Sequence, residues 1–574
     1  LHSQSRGKLS YDEALGAFVP AATAERTRSA GLCRGTSGLA AVLAEGSAAG
    51  SAAAVAAGFT STPGSHTAVG GAVGVAGKPG ALPQIAGAIP PAKAFVDFQN
   101  DVTTRDIALA QREGFESIEH IKRYTTTGMA TDQGKTSGLN ALGIVAESSQ
   151  RRIAEVGLTT YRMPYTPVTF GAFAGSARGD QFDPVRRTPS HQWAVDRGGV
   201  FEDVGNWKRT RYFPQGGEDM HAAVNRECVA VRTGVGMFDA STLGKIEVVG
   251  KDAAEFLNRF YVNNWSNLGV NRARYGILCR DDGFVYDDGV IGRLAEDRFH
   301  VTTTTGGAAR VFNMMEDYLQ TEWQDLSVWI TSTSEQWSVV ALQGPKARDV
   351  LAKLVTDVDL SAAALPHMGI ARGHIAGIPM ILFRVSFTGE LGFEINVPAE
   401  YGSDLWEAIH AAGQEFGITP YGTEAMHVLR AEKGYIIVGQ DTDGTLTPDD
   451  AGVAWAIGKT KKDFIGKRGM DRPALKSADR KQLIGLLTED SNVVLEEGSQ
   501  VVLTPNLPPP FTMVGHVTSS YFSANLGRSI AMAVVAGGRA KMGETLYVAM
   551  PGGDIPVKVS TTVFYDPQGG RLNV

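Results

Sequence analysis

Cysteine is scarce in this sequence, and positive charge is not in excess. The three cysteines, Cys33, Cys228 and Cys279, are too few and too far apart to predict a disulfide framework or a zinc cage. Their scarcity favours a reducing compartment, so we expect a cytoplasmic protein. A formal net charge of −7 argues against a broad nucleic-acid-binding surface, and we expect no nucleic-acid partner.

Long, strongly apolar runs are also missing. The stretch AAGSAAAVAAGF, from Ala48 to Phe59, is apolar but consists mostly of Ala and Gly. It is shorter than the roughly 20 apolar residues of a membrane-spanning helix, so we expect no membrane partner. Polar sequence follows Leu1 without an initiator methionine or a signal-peptide pattern, and we expect the sequence to be a fragment.

Several common catalytic motifs are missing as well. GMATDQGKTS, from Gly128 to Ser137, resembles a phosphate-binding P-loop, but five residues separate Gly128 from Gly134 where the motif needs four. No strand pattern precedes it. The sequence contains no H-E-x-x-H, no metal-ligand spacing of Cys and His, and no G-x-S-x-G. We therefore predict neither a metal site nor a serine nucleophile.

The patterns that are present predict an α+β protein with several domains. Breakers such as STPG and GKPG mark a linker between Ser61 and Pro91, and a helical block follows from Ala94 to about Ser149. Within that block, Thr103 and Asp106 form a capping-box pattern. From Thr210 onward strand patterns alternate with amphipathic helix patterns. The last part, from about Lys481, has short strands and Gly/Pro turns typical of a small β-barrel.

Two aspartate pairs stand close together in RYGILCRDDGFVYDDGVIGRL. Asp281 and Asp282 precede a glycine between apolar residues, which predicts a hairpin turn. Asp287 and Asp288 lie inside a strand pattern, where neighbouring side chains point to opposite faces. A carboxylate is disfavoured inside a strand, so one of these two is a candidate functional acid.

A second acidic stretch is RVSFTGELGFEINV, from Arg384 to Val397. Its pattern predicts a strand, a loop that contains Glu390, and a second strand. Glu394 lies between Phe393 and Ile395 in that second strand. The pattern alone favours a surface-facing glutamate, but such a carboxylate can also accept two parallel N–H bonds from an amino-pyrimidine edge.

The sequence from about Thr210 to Val574 resembles the aminomethyltransferase (glycine-cleavage T-protein) family. The resemblance is carried by the two acidic stretches, by VRTGVGMFDASTLGKIEVVGKDAAEFL and HVLRAEKGY, and by the C-terminal GHVTSS and VFYDPQGGRL. The upstream stretch KAFVDFQNDVTTRDIALAQREGFESIEHIKRY and the segment EAMHVLRAEKGYIIVGQDTDGTLTPDDAGVAWAI resemble the α subunits of the heterotetrameric sarcosine oxidase family. LHSQSRGKLSYDEALGAF matches the end of the nucleotide-binding domain of that family. The N-terminal portion of the family's subunit, which would carry a Gly-rich fingerprint, has no match in this sequence, so the resemblance implies NAD at a site that is incomplete here.

The helical block also resembles the small [2Fe–2S] domain of bacterioferritin-associated ferredoxins. The positions that match the four cluster ligands are Asp97, Gln99, Asp132 and Ser137. Because iron–sulfur ligation needs thiolates, we expect the fold of that domain without its cluster.

The resemblance implies four domains. Residues 1–92 are the end of the nucleotide-binding α/β domain with a linker, and residues 93–165 are the small helical domain. Residues 166–478 are the folate-binding α+β domain, and residues 479–574 are its C-terminal β-barrel.

The family also implies roles for individual residues. Asp288 matches the single acid that contacts the reacting nitrogen of folate, and we predict it as the catalytic residue. Asp287 is predicted beside the folate as structural support, Glu394 at the pterin edge, and Tyr275 and Phe387 along the funnel. Phe387 replaces a family tyrosine and Met426 replaces a family arginine. The predicted flavin-interface residues are Lys135 and Thr136.

The resemblance implies an oxidoreductase that acts on CH–NH with oxygen as acceptor. Sarcosine is demethylated to glycine with formation of H2O2, and tetrahydrofolate on this chain takes up the one-carbon unit as 5,10-methylenetetrahydrofolate. FAD and FMN are implied in the complex, the FMN at the α/β interface, with β, γ and δ subunits as partners and a small-molecule substrate.

Two alternatives remain open. One is a complex that oxidises another N-methyl or secondary amine such as dimethylglycine, and the other is a non-catalytic folate-binding scaffold. A free-standing aminomethyltransferase would leave the upstream domains without a purpose.

Overall fold

The chain divides into two compact units in a computed structural model that describes residues 2–3, 5–68, 94–163 and 165–574. The first unit spans Leu1–Arg178 and the second spans Gly179–Val574. Each unit is described by itself.

The first unit is mainly helical. Its strands are β1 Leu9–Asp12, β2 Ala17–Pro20, β3 Phe95–Asp97 and β4 Val102–Thr103. Its helices are α1 Leu39–Ala56, α2 Thr104–Arg112, α3 Ile118–Thr125, α4 Gly138–Ser149, α5 Ile153–Val156 and α6 Phe170–Ala174. β1 pairs with β2 and β3 with β4, both antiparallel.

The predicted helical block folds around one apolar core. α2 begins at the predicted capping box, in which Asp106 accepts a hydrogen bond from the backbone N–H of Thr103 at 2.8 Å. Ile107, Ile121 and Val145 from three successive helices are fully buried against one another. Since each helix is short, this shared burial rather than intrinsic propensity stabilises the block.

The α1 helix contains most of the apolar stretch from Ala48 to Phe59. It begins at Leu39, well before the apolar stretch at Ala48, and it is the one helix of the described ranges that is long and apolar enough to cross a membrane. That property concerns length and composition only, and core helices and secretion signals share it. The absence of a membrane partner stays a prediction.

The four positions that match the iron–sulfur ligands lie together, joined by hydrogen bonds. Oδ1 of Asp97 accepts from the backbone N–H of Gln99 at 2.9 Å. Oδ2 of Asp97 accepts from the N–H of Gly128 at 2.6 Å and from Ser137 Oγ at 3.3 Å. The Asp132 N–H donates to Gln99 Oε1 at 3.0 Å. Carboxylate and amide oxygens thus accept the hydrogen bonds that backbone N–H groups and a serine hydroxyl donate in this region of the small helical domain.

The second unit contains most of the β structure. Before the barrel its strands are β5 Arg186–Arg187, β6 Val200–Val204, β7 Trp207–Tyr212, β8 Gly236–Asp239, β9 Gly244–Val249, β10 Arg272–Cys279, β11 Val285–Ala295, β12 Arg298–Thr303, β13 Trp329–Ser332, β14 Trp337–Gln343, β15 Ile370–Ile375, β16 Ile378–Phe383, β17 Gly392–Pro398 and β18 Thr419–Pro420. Its helices are α7 His191–Asp196, α8 Met220–Thr233, α9 Ala253–Phe260, α10 Ala308–Thr321, α11 Ala347–Ala352, α12 Gly402–Gly413, α13 Thr423–Glu432 and α14 Lys467–Met470.

These strands form three sheets. A five-stranded sheet has the order β10-β11-β12-β9-β13, and a six-stranded sheet has the order β15-β16-β17-β14-β8-β18. The third sheet, β5-β7-β6, falls in the segment from Thr166 to Thr210, where the sequence showed no clear period. Both large sheets pack against helices, and their cores include Leu342 and Phe393 in the six-stranded sheet and Phe256 and Phe299 in the five-stranded one.

The C-terminal strands close into a barrel, as their spacing predicted. They are β19 Lys481–Thr488, β20 Gln500–Val502, β21 Gly515–Ser523, β22 Arg528–Ala536, β23 Thr545–Met550 and β24 Gly553–Ser560. The order is β19-β22-β21-β20-β23-β24, and β24 pairs back onto β19. Since closure leaves no free strand edge, a six-stranded sheet of this size is stable at the end of the chain. The predicted α+β fold class is confirmed.

Candidate functional site

A cavity of about 1010 Å³ lies within the second unit. Its walls come from both large sheets, from α13 and from the segment that follows α13. The lining is mainly apolar and aromatic, with a few acids and cations. Its volume is at the upper end of the range of small-molecule sites, about 300–1,000 Å³.

Asp288 is on the wall of this cavity. The strand alternation of β11 directs it into the cavity, and Tyr275 on the neighbouring strand β10 donates a hydrogen bond to its Oδ2 at 2.6 Å. Burial raises the pKa of Asp288 to about 7, and the Tyr275 hydrogen bond partly opposes this rise. A carboxyl group with a pKa near neutrality can accept or hold a proton at physiological pH.

Asp287 is not among the residues that line the cavity and belongs to the opposite face of β11. It is 1% exposed, and neither of its oxygens accepts a hydrogen bond of ordinary geometry from the described residues. Burial raises its pKa to about 6, although Thr304 and Arg310 favour the charged form. A side chain at Gly307, the residue before α10, would collide with this carboxylate. Asp287 therefore packs at the start of α10, and its predicted place beside the folate stays a prediction.

Glu394 also lines the cavity, from β17 of the six-stranded sheet. The strand pattern alone had favoured a surface-facing side chain, and that interpretation is wrong for this position. Burial raises the pKa of Glu394 to about 7, while the charge of Lys245 lowers it. Lys245 is itself buried and donates to the backbone oxygens of Ser241 and Leu243, both at 2.8 Å. The cavity thus holds a second carboxylate, with a buried cation in its surroundings.

Aromatic pairs form part of the wall. Tyr275 stacks on Trp455 with ring centroids 5.9 Å apart, and Phe387 stacks on Tyr435 at 6.1 Å. All four residues line the cavity, as does Met426. Flat aromatic faces of this kind suit a planar heterocycle.

The loop that contains Glu390 is fixed by a buried ionic network. Arg232 donates to the carbonyl oxygen of Thr388 at 2.7 Å, to Glu390 at 3.1 Å and to Glu432 at 2.7 Å. Tyr565 donates to Glu390 at 3.1 Å. Because Thr388 lines the cavity and the network ties down its neighbours, this network holds one wall of the site.

The lining residues that sequence reasoning missed include Arg209, His427, Tyr435 and Trp455. Trp455 belongs to a single 3-10 turn, and Arg209 lies in a strand that showed no clear period. Neither position carries a local pattern, because tertiary folding alone brings it to the cavity.

Lys135 and Thr136 are in the first unit, in the turn before α4. Lys135 Nζ donates to the backbone oxygen of Tyr165 at 2.6 Å and lies 3.8 Å from the centroid of its ring. Thr136 Oγ1 donates to Asp132 at 2.6 Å. Both side chains therefore have partners within the unit, and their assignment to a flavin interface stays a prediction.

Three known families match this chain. The GCVT N-terminal domain matches residues 190–461, and the glycine cleavage T-protein C-terminal barrel domain matches residues 481–566. The sarcosine oxidase A3 domain matches residues 91–176. The predicted domain boundaries themselves stay predictions.

Individual proteins agree with these matches. Sarcosine oxidase subunit alpha of Corynebacterium sp. (strain P-1) is 50% identical over 100% of this chain, and that of Rhizobium meliloti (strain 1021) is 43% identical over 99%. The chain covers 60% and 58% of these two proteins, so it spans about three fifths of their length. Aminomethyltransferase of Streptomyces coelicolor is 34% identical over 61% of this chain and 91% of its own.

A solved structure shows the same fold. Aminomethyltransferase T of Bartonella henselae superposes with a TM-score of 0.58 at 24% identity, over 67% of this chain and 99% of that one.

By its fold, its acid-lined cavity and its terminal barrel, the chain belongs to the aminomethyltransferase (glycine-cleavage T-protein) family. Within that class, it is similar along its whole length to the sarcosine oxidase α subunits.

Proposed function

We propose that this chain binds tetrahydrofolate in its cavity and captures a one-carbon unit released by the oxidation of sarcosine. The observation that carries the proposal is Asp288, a desolvated carboxylate on the wall of a largely apolar cavity, held by Tyr275. A carboxyl group in such a place can accept the proton of an attacking amine and stabilise a nearby cation.

Glu394 supplies the means to bind the pterin ring. A carboxylate accepts two parallel N–H bonds from an amino-pyrimidine edge, as it does from a guanidinium group. Because burial raises the pKa of Glu394 to about 7, the charge of Lys245 helps to keep it ionised. Stacking on the aromatic pairs would orient the ring and bring the reacting nitrogen towards Asp288.

The reaction needs little chemistry from this chain. One nitrogen of tetrahydrofolate attacks the carbon of the imine, the bond from that carbon to the glycine nitrogen breaks and glycine leaves, and the second folate nitrogen closes the ring of 5,10-methylenetetrahydrofolate. Asp288 holds the proton of the attacking amine, and its carboxylate stabilises the positive charge of the incoming iminium. The apolar walls limit the access of water, which would otherwise release the carbon as formaldehyde.

The remaining parts of the reaction belong to a larger assembly in this proposal. The amine is oxidised on a partner subunit with FAD, a second flavin, FMN, lies at the α/β interface, and oxygen is reduced to H2O2. The β, γ and δ subunits, NAD and a cytoplasmic location complete the proposal. For FMN, the side chains of Lys135 and Thr136 are already engaged within their own unit, so the flavin contact depends on the resemblance.

One experiment tests most of this. The intact complex is purified, its flavins and subunits are identified, and tetrahydrofolate is titrated during sarcosine turnover. H2O2 and 5,10-methylenetetrahydrofolate are measured in the same reaction. We expect the methylene product to appear as free formaldehyde falls, at a nearly constant rate of H2O2 formation.

Other outcomes would point elsewhere. A faster oxidation without any methylene product on addition of folate would favour a non-catalytic scaffold. Turnover of dimethylglycine but not of sarcosine would show a different amine substrate.

A further inference from the structure

Three Lys and Arg side chains line the cavity, and they differ in how their charge is satisfied. Lys433 donates to the backbone oxygen of Asp566 at 2.7 Å and pairs with its carboxylate at 3.2 Å. Arg310 donates to the backbone oxygen of Tyr286 at 2.8 Å. For Arg209, by contrast, the described part of the chain offers no hydrogen bond and no ion pair.

Arg209 is held in place mainly by its surroundings. It lies on β7 directly opposite Glu202 of β6, and its guanidinium carbon is 5.4 Å from the centroid of the Phe238 ring. Its Nε is buried and without a partner. Burial lowers the pKa of Arg209, and the charges of Glu202 and Asp239 offset this only from a distance. The Arg209 side chain as a whole is half-buried, and a partly desolvated guanidinium without a close anion is costly for the folded protein.

The other buried arginines of this unit show how such a charge is normally satisfied. Arg232 is bonded to Glu390 and Glu432, and Arg430 forms a buried ion pair with Asp441. Arg209 therefore stands out as a desolvated cation whose anion is not supplied by the described residues.

His427, which also lines this part of the wall, does not compete with Arg209 as a cation. Burial and the charges of Arg430 and Arg209 lower the pKa of His427 to about 3, so His427 is neutral at physiological pH. Met426 beside it contributes no charge, although the family resemblance places an arginine there. Arg209 is thus the charged donor available at this part of the wall.

We propose that Arg209 anchors a carboxylate group of the ligand in the cavity. A guanidinium and a carboxylate form two parallel, charge-assisted hydrogen bonds, which are strong where water is excluded. The inference rests on the proposed function, because it assigns a further contact in the same site. Arg209 is a specificity-determining residue in this role and takes no part in the chemistry.

Two carboxylates could be the one that Arg209 binds. Tetrahydrofolate carries carboxylates on its glutamate end, and the amino acid produced by sarcosine oxidation carries one as well. Both have the same chemistry at the guanidinium, so binding measurements with separate probes have to distinguish them.

The test measures equilibrium binding by calorimetry under anaerobic conditions, with the intact protein and its Arg209→Gln and Arg209→Lys variants. The probes are tetrahydrofolate, 6-methyltetrahydropterin, which lacks the carboxylates, and glycine. Arg211→Gln is the matched control, because Arg211 lies on the same strand, is paired with Glu424 at 2.7 Å and does not line the cavity.

We expect Arg209→Gln to weaken the binding of tetrahydrofolate by about tenfold or more, which corresponds to one charge-assisted hydrogen bond. The affinity for 6-methyltetrahydropterin should be unchanged, Arg209→Lys should recover part of the loss, and Arg211→Gln should behave as the wild type. If glycine binding falls and tetrahydrofolate binding does not, the carboxylate is that of the amino acid.

Unchanged affinities for both tetrahydrofolate and glycine in Arg209→Gln would overturn the inference. An equal loss for 6-methyltetrahydropterin would also overturn it, since the effect would then not depend on a carboxylate. A wild-type protein that binds no tetrahydrofolate would contradict the proposed function. In that case, the change in glycine affinity caused by Arg209→Gln would still test whether Arg209 binds a carboxylate.

Discussion

At the scale of single residues, two neighbouring aspartates of one strand have opposite surroundings. Asp288 faces the cavity and bonds to Tyr275, whereas Asp287 is enclosed in the protein and has no hydrogen bond of ordinary geometry from the described residues. Both carboxyl groups are desolvated, which raises both pKa values. Their different partners predict different consequences of the same substitution.

Asp288→Asn should separate capture from oxidation. The amide keeps the shape of the side chain but cannot hold the proton of the attacking amine, so we expect the yield of methylenetetrahydrofolate to fall by about 10²-fold or more. The rate of H2O2 formation should stay close to that of the wild type. Asp281→Asn, in the hairpin turn, is the matched control and should affect neither product. An equal loss of both products in Asp288→Asn would contradict the assignment.

Asp287→Asn should act on stability and its dependence on pH. Burial raises the pKa of Asp287 to about 6, so this carboxyl group is protonated in the folded protein at pH values where it is ionised in the unfolded chain. The free energy of unfolding therefore decreases as the pH rises from the ordinary pKa of an aspartate to about 6. Above pH 6 this loss of stability stays constant. The Asp287→Asn side chain does not ionise, so the variant does not lose this stability. It should be more stable than the wild type by about 1–3 kcal/mol at pH 8, with no such gain near pH 4.

Urea denaturation of wild type and variant at the two pH values measures this difference. A gain of the same size at both pH values would show that ionisation of Asp287 is not its cause.

The sequence was informative about these residues only in part. Alternation along the strand separates Asp287 from Asp288 without a structure, because successive side chains point to opposite faces. The same argument fails for Glu394, since an acid between two apolar residues can face either solvent or a cavity. Only the placement of β17 inside the six-stranded sheet decides that case.

At the scale of elements, the site depends on the loop between β16 and β17. Gly389 in this loop has a φ of +84°, which L side chains rarely adopt, and an added Cβ would collide with the side chain of Lys433. The loop is tied to α8 and α13 by Arg232, through Glu390 and Glu432. This packing explains why a short loop can keep a fixed shape beside a large cavity.

Arg232→Met should destabilise the second unit strongly. It leaves Glu390 and Glu432 buried without their cation, and breaking such a buried pair costs about 3–5 kcal/mol. The free energy of unfolding from chemical denaturation is the measurement. Arg468→Met is the control, because Arg468 is exposed and lies 3.8 Å from Asp463 in a surface ion pair. A similar small effect for both variants would show that the buried network contributes little.

Several helices of the second unit were predictable from their sequence patterns, and the reason is physical. α9, α10 and α12 each bury one face against a sheet, so their apolar residues repeat with the helical period. Trp455 and Arg209 follow no such repeat, because a cavity wall needs particular side chains at isolated places. The wall of a site is therefore harder to predict than the core beside it.

At the scale of the whole molecule, ligand binding and folding stability are linked. A ligand that binds only the folded protein stabilises it, by about 2.7 kcal/mol at a concentration of 100 times its Kd. All the lining residues of the cavity belong to the second unit, so the unfolding of that unit should respond to tetrahydrofolate. The response of the second unit is thus a test of binding that does not depend on turnover.

Glu394→Gln should reduce this stabilisation and weaken its dependence on pH. In the wild type the carboxylate must be ionised to accept two N–H bonds from the pterin, and burial raises its pKa to about 7. The stabilisation by tetrahydrofolate should therefore be smaller at pH 6 than at pH 8. The amide of the variant offers one acceptor and does not titrate, so its smaller response should change less between the two pH values, although Asp288 in the same cavity still titrates. Denaturation of the second unit with and without tetrahydrofolate measures this, with Glu424→Gln as the control because Glu424 pairs with Arg211 and does not line the cavity. A wild-type response that does not change between pH 6 and pH 8 would show that Glu394 does not bind the ligand as a carboxylate.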